Sequence, residues 1–212
     1  MTEKLSDVLS RKFGNNIREG SMISNECYIS ELIKIIKPNV ILEIGTLYGC
    51  SAALFAQYAK KVFTIDIMSA PETNKLIAES VWHFLELGKK VQSFSIVNDS
   101  EKGELIASLN FDMAFIDGGH TYEEVKYDFS CVKKCGIVLF HDYKPSGREY
   151  SDCNNIRYDD IVKFIDEIYP APFIWGPHCG KFALWIDAHH PLLRSKYFLQ
   201  WKKNNAQQEQ GS

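Results

Sequence analysis

Two short segments late in the chain carry most of the residues able to do chemistry: Asp117-Gly118-Gly119-His120, within FDMAFIDGGH, and His141-Asp142, within GIVLFHDY. Each follows a short apolar run, so the carboxylates and imidazoles fall at the ends of strands. Two carboxylates with imidazoles beside them supply oxygen and nitrogen donors for a divalent ion, Mg²⁺ or Mn²⁺, with Asp117, His141 and Asp142 as its ligands. Such an ion would hold a hydroxyl group, lower its pKa and orient it as a nucleophile. A donor set containing histidine shifts the preference from Mg²⁺ toward Mn²⁺, Fe²⁺ or Zn²⁺. The same residues also work without an ion, with His120 or His141 as general base near neutral pH. Both readings stay open on the residues alone. The plainer alternative makes Asp117-Gly118-Gly119 ordinary turn chemistry and His120 a helix cap. For Asp117 the preceding strand argues against it.

A nucleophile needs an electrophile, and NVILEIGTLYGCSAALF, residues 39–55, reads as the place to hold one. Val40, Ile41 and Leu42 are residues of a strand buried on both faces. Gly45 and Gly49 allow a sharp turn and the close approach of a ligand. Ser51 and the alanines after it open a helix whose free N–H groups face the strand end. The pattern GxGxxG is absent, and Glu43 stands before the turn. A pyrophosphate wants helix N–H donors and no adjacent anion, whereas a carboxylate suits a cationic amino-acid group. Asp66 closes the next strand about 20 residues on, where an acid can hold two ribose hydroxyls. A nucleoside with a cationic tail is the expected ligand.

These segments need elements to position them. The patterns predict a helix over 24–36 ending before Pro38, the strand 40–42 and the helix after Gly49, and then a strand over 62–67. A helix over 74–87 stopped at Gly88 follows, then a strand over 91–97 and a helix over 102–108. The series continues with a strand over 113–116, a helix over 122–132 and a strand over 137–140. Repeated strand and helix units imply a doubly wound α/β fold, a parallel sheet with helices on both faces. Parallel strand ends converge on one crevice, so Asp117, His120, His141 and Asp142 are expected together beside the ligand turn. Beyond Tyr143 comes a polar stretch read as a lid loop, then a helix over 161–169 and two strands, 173–175 and 182–186, forming a hairpin. One domain over 1–212 accommodates all of this: a helical cap (1–37), a cofactor-binding core (38–143), the lid loop, helix and hairpin (144–187), and a tail (188–212).

LEIGTLYGCSAALFA followed by VFTIDI resembles the first two motifs of class I S-adenosylmethionine (SAM) dependent methyltransferases. In that resemblance Gly45, Thr46 and Gly49 belong to the cofactor loop, Asp66 is the ribose-binding acid, and Asn98-Asp99-Ser100 flanks adenine. FDMAFIDGGHTYEEVKYDF and GIVLFHDY look like the small O-methyltransferase branch with macrocin-type and caffeoyl-CoA-type enzymes. The resemblance covers roughly residues 20–145, a domain-sized span. It implies a Rossmann-like sheet of seven strands with the hairpin added antiparallel at the edge. It also implies SAM held by Glu43, Gly45, Thr46, Gly49, Asp66, Asp99, Ser100 and Asp117, with a metal on Asp117 and Asp142. The implied reaction is O-methylation of a small hydroxylated acceptor, a sugar or natural-product scaffold, by an enzyme that often forms a homodimer. The chain departs from the pattern twice. His141 stands where macrocin-like enzymes have an acid, and Tyr143 where caffeoyl-CoA-type enzymes have an amide. On fold alone, a nicotinamide-dependent oxidoreductase or a non-catalytic nucleoside-binding protein would serve as well. The missing third glycine and Glu43 argue against the first, and intact acids at both strand ends against the second.

Composition narrows the partners. The 212 residues are 45% hydrophobic and 24% charged with a formal net charge of −3, a globular balance without the basic stripe of a nucleic-acid binder. No apolar run approaches the roughly 18 residues of a membrane span, and the N-terminus lacks a signal-peptide core. The expectation is a cytoplasmic protein acting on a small molecule. Its six cysteines, among them Cys27, Cys50, Cys131 and Cys135, form no CxxC pair and read as reduced thiols. A zinc site from Cys153, His178 and Cys179 is the minority reading. His189-His190 reads as a solvated turn. Trp175, Trp185 and Trp201 read as edge or surface packing, and Tyr48 and Met22 as packing.

Overall fold

The computed structural model describes residues 3–14, 25–143, 158–176 and 181–208. Seven strands make one mixed sheet in the order β3-β2-β1-β4-β5-β7-β6, with β5, β7 and β6 antiparallel at the edge, and eight α-helices lie among the described residues. The doubly wound, mostly parallel fold expected from the sequence is the one observed. The chain falls into two compact units, residues 1–112 and 113–212.

The first unit carries α1 (Leu5–Phe13), α2 (Glu26–Ile36), β1 (Val40–Ile44), α3 (Cys50–Tyr58), β2 (Lys61–Ile67), α4 (Glu72–Phe84), β3 (Val91–Ile96) and α5 (Asp99–Ser108). β1 runs parallel to β2 with Glu43 opposite Thr64, and β2 parallel to β3. Every residue of α3 from Cys50 to Ala56 is buried, which explains its lack of a polar face. Its C-terminal carbonyls find a donor in Lys90, whose Nζ lies 2.8 Å from the oxygen of Ala56 and 3.4 Å from that of Ala59. Near the start of the chain, the Glu26 carboxylate accepts the N–H groups of Leu5 and Ser6, serving as a cap for α1.

Helix ends moved from their expected places for identifiable reasons. α4 begins at Glu72 because Pro71 takes the extended N-cap position. It stops at Phe84 because Glu86, not Gly88, turns left-handed with φ 58°. α5 begins at Asp99 because the Asn98 side chain accepts the N–H of Glu101 at 3.0 Å while the Glu101 carboxylate accepts that of Val97 at 2.7 Å. This reciprocal cap starts the helix three residues before its apolar pattern does.

The second unit carries β4 (Met113–Ile116), α6 (Tyr122–Val132), β5 (Ile137–Tyr143), α7 (Tyr158–Glu167), β6 (Phe173–Trp175), β7 (Lys181–Ile186) and α8 (Lys196–Gln208). Its core is aromatic: Phe129 meets Phe164 and Trp185 edge-on, with centroids at 5.7 and 5.1 Å. Trp175 meets Trp201 edge-on at 5.2 Å. All three tryptophans are buried: Trp175 and Trp185 pack on the strands of the edge hairpin, as expected, and Trp201 is a core residue on α8 rather than surface packing. Residues 191–208, grouped with the tail, form a 3₁₀ turn over Pro191–Arg194 and then α8, which docks by burying Phe198 and Trp201. His190 caps that turn by accepting the N–H of Leu192, while His189 is exposed. Cys27 is exposed, Cys50 buried and Cys131 and Cys135 half-buried, all unbridged. The lid loop after Tyr143, Met22, Ser24 and the Cys153, His178 and Cys179 set lie outside the described residues.

Gly49 is where sequence and packing constrain each other most tightly. It is the N-cap of α3 with φ 70°, and a Cβ there would lie 2.7 Å from the Trp82 ring and 2.8 Å from Ala78. The Trp82 indole N–H also donates to the Gly49 carbonyl at 2.9 Å. Gly49→Ala is therefore expected to destabilise the protein by about 2 kcal/mol or more, from backbone strain and overpacking together. Urea denaturation measures it, and an unchanged midpoint would refute the account.

Candidate functional site

In the first unit, the turn between β1 and α3 is left-handed three times, at Gly45 (φ 98°), Leu47 (φ 43°) and Gly49 (φ 70°). Such alternation points successive N–H groups into one concavity, an arrangement that binds anions. Here the anion is the protein's own. The half-buried Asp66, near the end of β2, accepts the N–H groups of Thr46 at 3.3 Å and Leu47 at 3.2 Å on one oxygen and that of Ile67 at 2.8 Å on the other. A carboxylate has about four acceptor sites, so Asp66 keeps capacity for a hydroxyl donor while fixing the turn.

Glu43 lies behind that turn, fully buried. It accepts hydroxyl hydrogen bonds from Ser51, in the first turn of α3, and from Thr64 on β2 at 2.6 Å. Thr64 in turn lies 2.6 Å from the hydroxyl of Thr46. The sequence reading missed Thr64. The signal was available as a hydroxyl residue within the otherwise apolar VFTIDI, placed by register opposite Glu43. Asp99 and Ser100 open α5, where the largely exposed Asp99 pairs with Lys102 at 2.9 Å.

In the second unit, β4 and β5 are parallel neighbours, and the residues past their ends meet. Asp117 Oδ1 lies 2.9 Å from His141 Nδ1, Asp142 Oδ1 lies 3.3 Å from the same nitrogen, and Asp142 Oδ2 lies 3.2 Å from His120 Nε2. All four residues line a cleft of about 210 Å³, counting its open mouth, whose apolar walls include Ile116, Val125, Phe140 and Ile161. Adjacent strand residues normally point to opposite faces. His141 and Asp142 share one cleft because β5 bulges against β7 between Phe140 and Tyr143, with Asp142 left-handed at φ 59°. Bulges re-aim side chains in this way. Tyr143 points elsewhere, donating its hydroxyl to Asp166 of α7 at 2.8 Å. His120 is not the helix cap. Thr121 caps α6 in a capping box with Glu124, and Gly119 makes room for it, since a Cβ there would lie 2.6 Å from that of Glu124.

The cluster is strongly polarised. Burial would lower the pKa of His141, but the charges of Asp117 and Asp142 and their hydrogen bonds outweigh it and hold the imidazole well above its ordinary range. Burial would likewise raise Asp142, yet the charge of His141 and the bonds from His120 and His141 hold its carboxyl far below the usual range. His120 is raised by its bond to Asp142 against the opposing effect of burial. One ligand atom each from Asp117, His141 and Asp142 lie within 4.8 Å of one another, about the span that a divalent ion at 2.0–2.5 Å from each donor allows.

Residues 42–143 match the family described as a methyltransferase domain. A protein from Staphylococcus aureus assigned as a caffeoyl-CoA O-methyltransferase is 21% identical, with a TM-score of 0.67 over 87% of this chain and 93% of that one. An O-methyltransferase from Bacillus cereus, in complex with SAH, is also 21% identical, with a TM-score of 0.64 over 88% of this chain and 92% of that one. TomG of Streptomyces achromogenes, in complex with SAM, is 15% identical, with a TM-score of 0.65 over 89% and 91%. A curated relative, the uncharacterized protein y4gI of Sinorhizobium fredii, is 28% identical over 125 residues; these are 52% of this chain, which spans 14% of the relative's length. The solved structures share this chain's fold, and the family match falls on its central strands. The span matched by the methyltransferase-domain family, 42–143, carries the turn, Asp66 and the whole acid and imidazole cluster.

The polarised cluster predicts a pH signature for chelator-treated protein. A raised His141 contributes stability that is complete below its unfolded pKa near 6.5 and lost as pH rises through the folded value. A depressed Asp142 contributes stability present above about pH 4 and lost toward acid. The Tm advantage of wild type over His141→Asn should therefore be complete below about pH 6.5 and shrink as pH rises above it. A constant difference would show that His141 carries no proton in the folded protein.

Proposed function

We infer that the chain transfers the methyl group of SAM to an oxygen of a small hydroxylated acceptor, such as a sugar or natural-product scaffold. The observation that carries this reading is the cleft in which two acids and two imidazoles converge, since methyl transfer to oxygen needs little from a protein beyond positioning and removal of the hydroxyl proton. The sulfonium supplies its own leaving group. The residues of the first unit suit the cofactor: Asp66 offers acceptor capacity for ribose hydroxyls, and the turn is built around carboxylates, which favours a cationic tail over a phosphate.

His120 is the proton acceptor in this reading. It is the more exposed imidazole, 32% against 17% for His141, and Asp142 orients it from Nε2 as a base is oriented by a third group. His141 instead sits between two acids. The donor set fits a divalent ion: Asp117, His141 and Asp142 would hold it, and the nitrogen donor favours Mn²⁺ over Mg²⁺. Bound there, it would supply Lewis acidity that lowers the pKa of the acceptor hydroxyl. Binding requires His141 to give up its proton, so affinity for the ion should rise with pH. The acceptor is taken as diffusible and the setting as cytoplasmic; no helix among the described residues is long and apolar enough to cross a membrane.

The test is transfer of labelled methyl from SAM to a pool of hydroxylated metabolites, with and without chelator, read by mass spectrometry. Label on oxygen of a small product is expected. His120→Asn should lower kcat about 10²- to 10⁴-fold, the usual worth of a general base, while leaving the affinity for S-adenosylhomocysteine (SAH) unchanged. Protein that binds SAH yet labels nothing, or labels nitrogen or carbon, would overturn the acceptor assignment.

A further inference from the structure

The hydroxyl chain behind the cofactor turn has a direction. A hydroxyl owns one hydrogen and two lone pairs. Thr64 commits its hydrogen to the Glu43 carboxylate at 2.6 Å, and Ser51 commits its own to the other oxygen. The bond between Thr46 Oγ1 and Thr64 Oγ1, at 2.6 Å, therefore runs one way: Thr46 donates and Thr64 accepts. Thr46 is left with acceptor capacity only. Four backbone donors of the turn are also committed within the protein: Gly45 donates its N–H to Ile65, Thr46 and Leu47 to Asp66, and Gly49 to Thr46. A glycine turn before a helix commonly serves anions with its N–H groups. In this turn those four point inward.

We propose that Thr64 is a positioning residue that sets the polarity of Thr46 and so makes the turn selective for a nucleoside bearing an ammonium group. It touches no ligand itself. It acts by presenting Glu43 to the turn through one hydroxyl, so that a donor is accepted at Thr46 while a pyrophosphate, which only accepts, meets lone pairs with a carboxylate behind them. The inference rests on the SAM reading and adds a specificity element on β2, fully buried at Thr64.

The experiment compares calorimetric affinities for SAH and for 5′-methylthioadenosine, which shares the nucleoside and thioether but lacks the amino-acid tail. Thr64→Val, close in shape, should weaken SAH about tenfold or more, as loss of a charge-linked hydrogen bond does, and leave methylthioadenosine within about twofold. Thr64→Ser should restore SAH binding. Thr46→Val, which keeps the Glu43 and Thr64 pair intact, should show the same selective loss and serves if Thr64→Val does not fold. Equal losses for both nucleosides would reveal a merely structural role, and unchanged SAH affinity in the valine variants would remove the relay; either overturns the proposal. Wild-type protein that binds neither nucleoside would remove the cofactor reading and this inference with it, a result visible before any variant is made.

Discussion

An acid drawn into the protein at a strand end must be met by donors, because a carboxylate stripped of water without compensation is too costly to keep charged. The candidate site residues of each unit are organised by that requirement. Glu43 is met by two hydroxyls from different elements, which ties β1 to β2 and to the start of α3. Asp66 is met by three backbone N–H groups, which fixes the turn that follows β1. Asp142 is met by two imidazoles, which gathers the chemistry of the second unit. In each case the interaction that satisfies the acid also shapes the place where a ligand would be held.

The bulge in β5 shows the cost and the use of such an arrangement. A regular strand would send His141 and Asp142 to opposite faces and leave one of them in the aromatic core. The extra residue and the left-handed φ of Asp142 bring both to one side, at a conformational cost on the order of 1–3 kcal/mol for a residue with a side chain. The paired charges offset it. His141 holds its orientation between Phe115 and Phe182, with ring centroids at 6.2 and 5.4 Å, so the imidazole is positioned by packing as well as by charge.

Much of the fold was legible because it is written in short-range pattern. The strands fell where β-branched and apolar runs predicted them, and the grouping of Asp117, His120, His141 and Asp142 followed from their place after two successive strands. What stayed hidden depends on partners distant in sequence. Nothing local announces that Gly49 is required by Trp82 rather than by a ligand alone, that Thr64 faces Glu43, or that Tyr143 turns toward Asp166. Helix α8 escaped because its polar sequence carries only a few apolar residues, and Phe198 and Trp201 become anchors only once the β6 and β7 hairpin offers aromatic surface.

Helix α7 ends in two consecutive acids, and each is held by a phenol from another element: Asp166 by Tyr143 and Glu167 by Tyr122. Ile161, which lines the cleft, sits near the opposite end of the same helix. Anchorage and contour are thereby assigned to separate turns of one element. Natural variation at position 161 can widen or narrow the cavity while the phenolic moorings keep the helix in register, so descendants of this chain can explore new guests without dismantling the charged centre that would act on them.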